Sequence, residues 1–149
     1  MLPPIEQLVP HRARMSLLDR VTHAADGTVT AIGTVRADSP LAHDGAIGGW
    51  VAIEYMAQAV AAYAGVDAHA QGGPPKVGFL LGTRALVFTP ERIAVGTTLT
   101  VTVVRQLQDP SGLGSFDGTV TGDDGFRATA TLSVFQPDDV QRFLQETGS

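Results

Sequence analysis

Glu54 and Gln58 stand four residues apart in the stretch Ile53-Glu54-Tyr55-Met56-Ala57-Gln58-Ala59, whose other members are apolar or aromatic. On a helix that spacing places both side chains on one face, one turn apart, so the carboxamide can orient the carboxyl or a substrate oxygen. Eleven residues before Glu54, His43 lies in the run Ser39-Pro40-Leu41-Ala42-His43-Asp44-Gly45. An imidazole titrates near neutral pH, and a carboxyl with an imidazole is a general acid–base pair. Gly48, Gly49 and Trp50 precede the same apolar stretch. Helix starts leave polarised N–H groups free, and glycine admits close approach, so these positions can supply donors to an oxygen that gains negative charge. Each residue also has an ordinary reading: Glu54 as a helix-start carboxylate favoured by the helix dipole, His43 as an exposed loop histidine, the glycines as plain loop. His11, His23 and His69 are dispersed without metal-ligand spacing, and there is no cysteine. Neither a metal nor any other cofactor is expected.

The elements that must carry these residues belong to one domain spanning all 149 residues. Ten Lys and Arg against fifteen Asp and Glu give a net charge of −5, which argues against nucleic-acid binding. The hydrophobic share is 44% and the charged share only 17%, so more apolar surface is present than a lone core of this size needs. The most apolar stretch is interrupted by Glu54 and Gln58, the first residues do not read as a signal peptide, and no membrane contact and a cytoplasmic location are expected. A helical turn over residues 5–9 precedes strand-like segments 15–24 and 28–35, joined by Ala25-Asp26-Gly27. Loop chemistry fills 37–49. Residues 50–68, rich in Ala and apolar all round, predict a helix buried on most sides, with Gly65 marking its fraying end. Strands are predicted over 77–88, 97–107, 114–120 and 126–135, then an amphipathic turn over 138–146. One antiparallel sheet wrapped around one long central helix, an α+β hotdog fold, is the simplest packing.

The motifs extend this reading. Residues 8–21, LVPHRARMSLLDRV, resemble the opening of bacterial 3-hydroxyacyl-acyl-carrier-protein dehydratases, and IEYMAQA at 53–59 resembles the start of their helix. GFLLGTR at 78–84 and VGTTL at 95–99 look like their following strands. The phrases IEYxAQA and GxLLGxR are similar to those of an aryl-polyene-type, ApeP-like subgroup. The resemblance implies a homodimer, or a heterodimer with a related hotdog subunit, that removes water from a 3-hydroxyacyl thioester on an acyl carrier protein in fatty acid or polyketide synthesis. It implies Glu54 as acid, a loop histidine as base, and each site drawn from two chains. Ser39 occupies the position of that histidine, a hydroxyl is no base without an activator, and His43 is the nearest replacement. By resemblance Phe79, Leu80 and Gly82 line an acyl tunnel, while Arg84, Arg12 and Arg14 receive the acidic carrier. A hotdog acyl thioesterase and a non-catalytic acyl-binding subunit of a heterodimer remain as alternatives.

Overall fold

The computed structural model describes residues 2–8, 15–70, 72 and 79–135. After a 3-10 turn at Ile5–Gln7 the chain forms β1 (Arg20–Ala25), β2 (Thr28–Thr34), β3 (Ala46–Gly48), a second 3-10 turn (Gly49–Val51) and α1 (Ala52–Ala70). There follow β4 (Phe79–Thr89), β5 (Arg92–Ala94), β6 (Thr98–Gln108), β7 (Leu113–Gly122) and β8 (Arg127–Phe135). Six strands make one antiparallel sheet in the order β1-β2-β6-β7-β8-β4, and β3 pairs with β5 in a separate ribbon. The sheet packs around α1, whose Ala52, Tyr55, Met56, Ala59, Val60 and Ala62 are all buried. The expected helix and its enclosure are therefore found. The amphipathic turn expected at 138–146 lies outside the described residues.

The hairpin signal at Asp26-Gly27 works as anticipated. Asp26 (φ 56°) and Gly27 (φ 79°) both take the left-handed conformation that a tight hairpin needs. Period-two alternation then turns Val29, Ala31 and Gly33 of β2 inward and its threonines outward. The Gly27 N–H donates to Tyr63 Oη at 3.0 Å, tying this hairpin to α1.

Three features differ from expectation. Gly65 does not mark a fraying end: it is buried inside α1, and a Cβ there would collide with the Leu8 carbonyl, because the first 3-10 turn crosses the helix at that point. Gly65→Ala is expected to cost about 1–3 kcal/mol, the usual range for overpacking, measurable by urea unfolding. Residues 15–19 do not join β1. Gln58 and Arg36 take three of their backbone polar groups, so the segment runs as an irregular strap between the sheet and α1. The loop 37–49 contains β3, three residues too short to leave an alternating signature.

Candidate active site

Glu54 is in the first turn of α1 and half-buried. Gln58, one turn later, is 0% exposed. Its Oε1 accepts the Leu17 N–H at 2.9 Å, while its Nε2 donates to the Met15 carbonyl at 2.8 Å and to Glu54 Oε1 at 3.1 Å. Both amide protons are thereby engaged within the chain, so the carboxamide meets the carboxyl rather than offering a free donor to a substrate. The amide orientation is dictated, since the strap presents one acceptor and one donor to it. Beside Glu54, burial pushes the Tyr55 hydroxyl up to about 12, against a lowering influence of Arg36, so this phenol stays protonated near neutral pH and offers no base.

His43 begins a tight turn. Its N–H donates to the Ala46 carbonyl at 2.8 Å, the Ala46 N–H returns a bond of 3.2 Å, and Asp44 and Gly45 between them have φ 52° and 77°. This is the mirror-image turn that Asp-Gly favours. The imidazole is 86% exposed with Nε2 3.2 Å from Asp44 Oδ2, so within one chain it faces solvent. Arg92 on β5 holds the turn from beneath, its Nη2 donating to the carbonyls of His43 and Ala46. Ser39 is buried, and its Oγ accepts the Leu41 N–H at 3.2 Å, a local turn contact. That contact is with backbone and supplies the hydroxyl with no activator.

The donors expected at the helix start are partly committed elsewhere. The Gly49 N–H donates to the Glu91 carbonyl at 2.6 Å, and a Cβ at Gly49 would run into the Phe88 ring. Gly49 is thus small for packing, and its amide is already engaged. Trp50 is 60% exposed, its indole covering Gly48. A large aromatic face beside the loop is a surface that a ligand or a partner would cover.

Phe79, Leu80, Gly82 and Arg84 all fall on β4, an edge strand whose pairing is with β8. Leu80 and its neighbour Leu81 are both exposed, so neither face of the strand is covered there, and Val87 further along is 66% exposed. A single chain therefore leaves this apolar stretch of β4 open. Arg84 is exposed, in register with Thr131. Arg12, Arg14 and His11 lie outside the described residues. His23 on β1 and His69 in the last turn of α1 are exposed. Among the described residues no group of three or more His, Cys, Asp or Glu is placed to hold a metal ion, and no helix is long and apolar enough to cross a membrane. Sequence reasoning missed Arg92 and Arg36. Their contacts are to backbone carbonyls far along the chain, which leave no motif.

The profile of ApeP-like proteins, described as ApeP dehydratase, matches residues 3–145. The chain belongs to the ApeP-like dehydratase family. A chain of the dehydratase heterocomplex ApeI:P from Xenorhabdus doucetiae is similar over 99% of both chains, at 30% identity and a TM-score of 0.86. That similarity makes the hotdog architecture of this ApeP-like chain explicit. A hypothetical thioesterase with coenzyme A from Streptococcus pneumoniae has a TM-score of 0.59 at 17% identity, over 78% of this chain and 86% of that one. A mutant of the phenylacetic acid degradation protein PaaI from Thermus thermophilus has 0.56 at 22%, over 78% and 90%. These two share the fold. No curated protein matches the chain.

Proposed function

We propose that this ApeP-like chain is one subunit of a two-chain hotdog dehydratase that converts a 3-hydroxyacyl thioester on an acyl carrier protein to the trans-2-enoyl thioester. The observation that carries the proposal is the Glu54–Gln58 hydrogen bond on a helix buried by the sheet, in a chain of a dehydratase family. Dehydration needs a base for the α-proton, donors for the thioester oxygen as it becomes enolate-like, and an acid for the departing hydroxyl. Glu54 acts as the acid: it protonates the leaving oxygen and is left as a carboxylate held by Gln58. Gln58 is a positioning residue. His43 is the base, presented by a turn that Arg92 clamps and, as an exposed side chain, free to enter the site of a neighbouring subunit. The open edge of β4 and the exposed Trp50 are completed by that subunit, and the heterocomplex similarity supports a related hotdog chain as the partner. A second copy of this chain is the alternative occupant. Arg84 contributes to the surface that receives the carrier.

The direct test incubates the purified protein, alone and with its hotdog partner, with a 3-hydroxyacyl thioester and follows the products by mass spectrometry. Loss of water is expected; free acid with released thiol would mean a thioesterase. His43→Ala is expected to lower turnover about 10²-fold, the lower bound for losing a general base, with no change in melting temperature because the side chain is exposed to solvent. One observation favours a second reading. The exposed imidazole and the turn-bound Ser39 hydroxyl leave the loop without a buried base, as expected of a subunit that contributes only the acid or only acyl binding. Full turnover of His43→Ala in the two-chain complex would assign the base to the partner.

A further inference from the structure

Gln58 can direct a proton donor at Glu54 only while its other two contacts are fixed, and both belong to the strap of residues 15–19. The strap is held on its far side. Arg36, shortly after β2 and half-buried, donates from Nη2 to the Ser16 carbonyl, between the two strap residues that bind Gln58. The Leu17 carbonyl lies so close to Gly33 that a Cβ there would approach it to 2.6 Å. The Asp19 N–H donates to the Ile32 carbonyl at 2.7 Å, and Asp19 Oδ2 accepts the Thr34 N–H at 2.8 Å. At the other end, the Arg36 carbonyl accepts the Ser39 N–H at 3.2 Å, at the start of the loop that carries His43, and Asp38 Oδ1 lies 3.9 Å from Arg36 Nε.

We propose that Arg36 is a positioning residue for Glu54, acting through Ser16, the strap and Gln58, and joining the acid to the loop that bears His43. The inference rests on the reading of Glu54 as the acid. Without the guanidinium, Ser16 loses its anchor, the Met15 carbonyl and Leu17 N–H drift relative to α1, and the Gln58 amide is free to turn its oxygen toward Glu54. A carboxyl facing an acceptor is misplaced for proton transfer although every reacting group is present. A guanidinium suits this role because it is always charged and presents several donors in a rigid fork.

The test uses the two-chain complex with a 3-hydroxyacyl pantetheine thioester and compares Arg36→Met, Arg36→Lys, Gly33→Ala and Glu54→Gln. Arg36→Met is expected to lower kcat about 10- to 100-fold, the range for a small misplacement of a catalytic group, with KM nearly unchanged. Arg36→Lys, which keeps a charged donor, is expected to recover most of the loss. In a proton–nitrogen correlation spectrum the Gln58 side-chain amide pair is expected to shift in Arg36→Met and hardly at all in Arg36→Lys. Gly33→Ala pushes the strap from its other side, so it should shift the same resonances even if Arg36→Met does not fold. Glu54→Gln inactive with Arg36→Met fully active, or unchanged Gln58 resonances in both Arg36→Met and Gly33→Ala, would overturn the inference alone. Turnover that survives Glu54→Gln would overturn the site reading beneath it and this inference with it.

Discussion

Glu54→Gln is expected to lower dehydration turnover by about 10²–10⁴-fold, the contribution of a positioned general acid, equivalent to roughly 3–5 kcal/mol of barrier. The substitution keeps the shape of the side chain and an oxygen that can accept from Gln58 Nε2, so it removes the transferable proton and little else. Glu54 is half-buried in the first turn of α1 and bears little of the core, so the melting temperature should hardly move. Substrate binding should persist, since the proposed acyl contacts lie on β4 and the partner rather than at the carboxyl. Steady-state kinetics on the two-chain complex, with unfolding followed in parallel, checks both halves. Equal loss of turnover and stability would mean that Glu54 is a structural carboxylate.

Gln58→Leu is expected to show the reverse balance, with stability and turnover falling together. Leucine fills the space, but it leaves the buried Leu17 N–H and the Met15 carbonyl without their partner. Each stranded polar group costs about 1–3 kcal/mol, so a loss of roughly 2–5 kcal/mol in urea unfolding is expected. Glu54 also loses a donor. Combining Gln58→Leu with Glu54→Gln should therefore reduce turnover no further than Glu54→Gln alone, because residues that act as a unit are not additive. Additive losses would separate Gln58 from the acid and leave it a purely structural residue.

These two experiments differ because two kinds of information meet at the site. That Glu54 and Gln58 face the same way was legible in the sequence: four residues on a helix is a local relation, fixed by 3.6 residues per turn. The Asp26-Gly27 hairpin and the inward set of β2 were legible for the same reason, since chain geometry sets them within a few residues. The partner of Gln58 was not legible. It bonds to Met15 and Leu17, more than forty residues away, and no pattern around 15–19 distinguishes a strap from the beginning of a strand. Leu17 and Leu18 are both buried, as in a strand covered on both faces, but Gln58 and Arg36 take the Met15, Ser16 and Leu17 backbone groups that a ladder would use.

The proposed base shows the same division. The substitution of Ser39 at the histidine position can be read directly, whereas the fate of that hydroxyl cannot: it accepts a backbone N–H two residues on. The Asp44-Gly45 turn is a local signal, but its carbonyls at His43 and Ala46 are bound by Arg92, forty-nine residues after His43 on β5. Likewise, the helix start offered Gly49 as a donor, and only the pairing of β3 with β5 shows its N–H taken by Glu91.

By itself, then, the sequence determined the strands and turns, the one apolar helix and the carboxyl–carboxamide pair upon it, because these follow from periodicity and short-range spacing, while its motifs resemble those of a hotdog family. The surplus of apolar residues foretold surface beyond one core. Tertiary structure decided where that surplus goes, on the open edge of β4 and at Trp50, and it decided which backbone groups hold Gln58 and His43 in place. Those choices rest on contacts between residues far apart in the chain, whose free energy is set by the packing of whole elements and leaves no local mark.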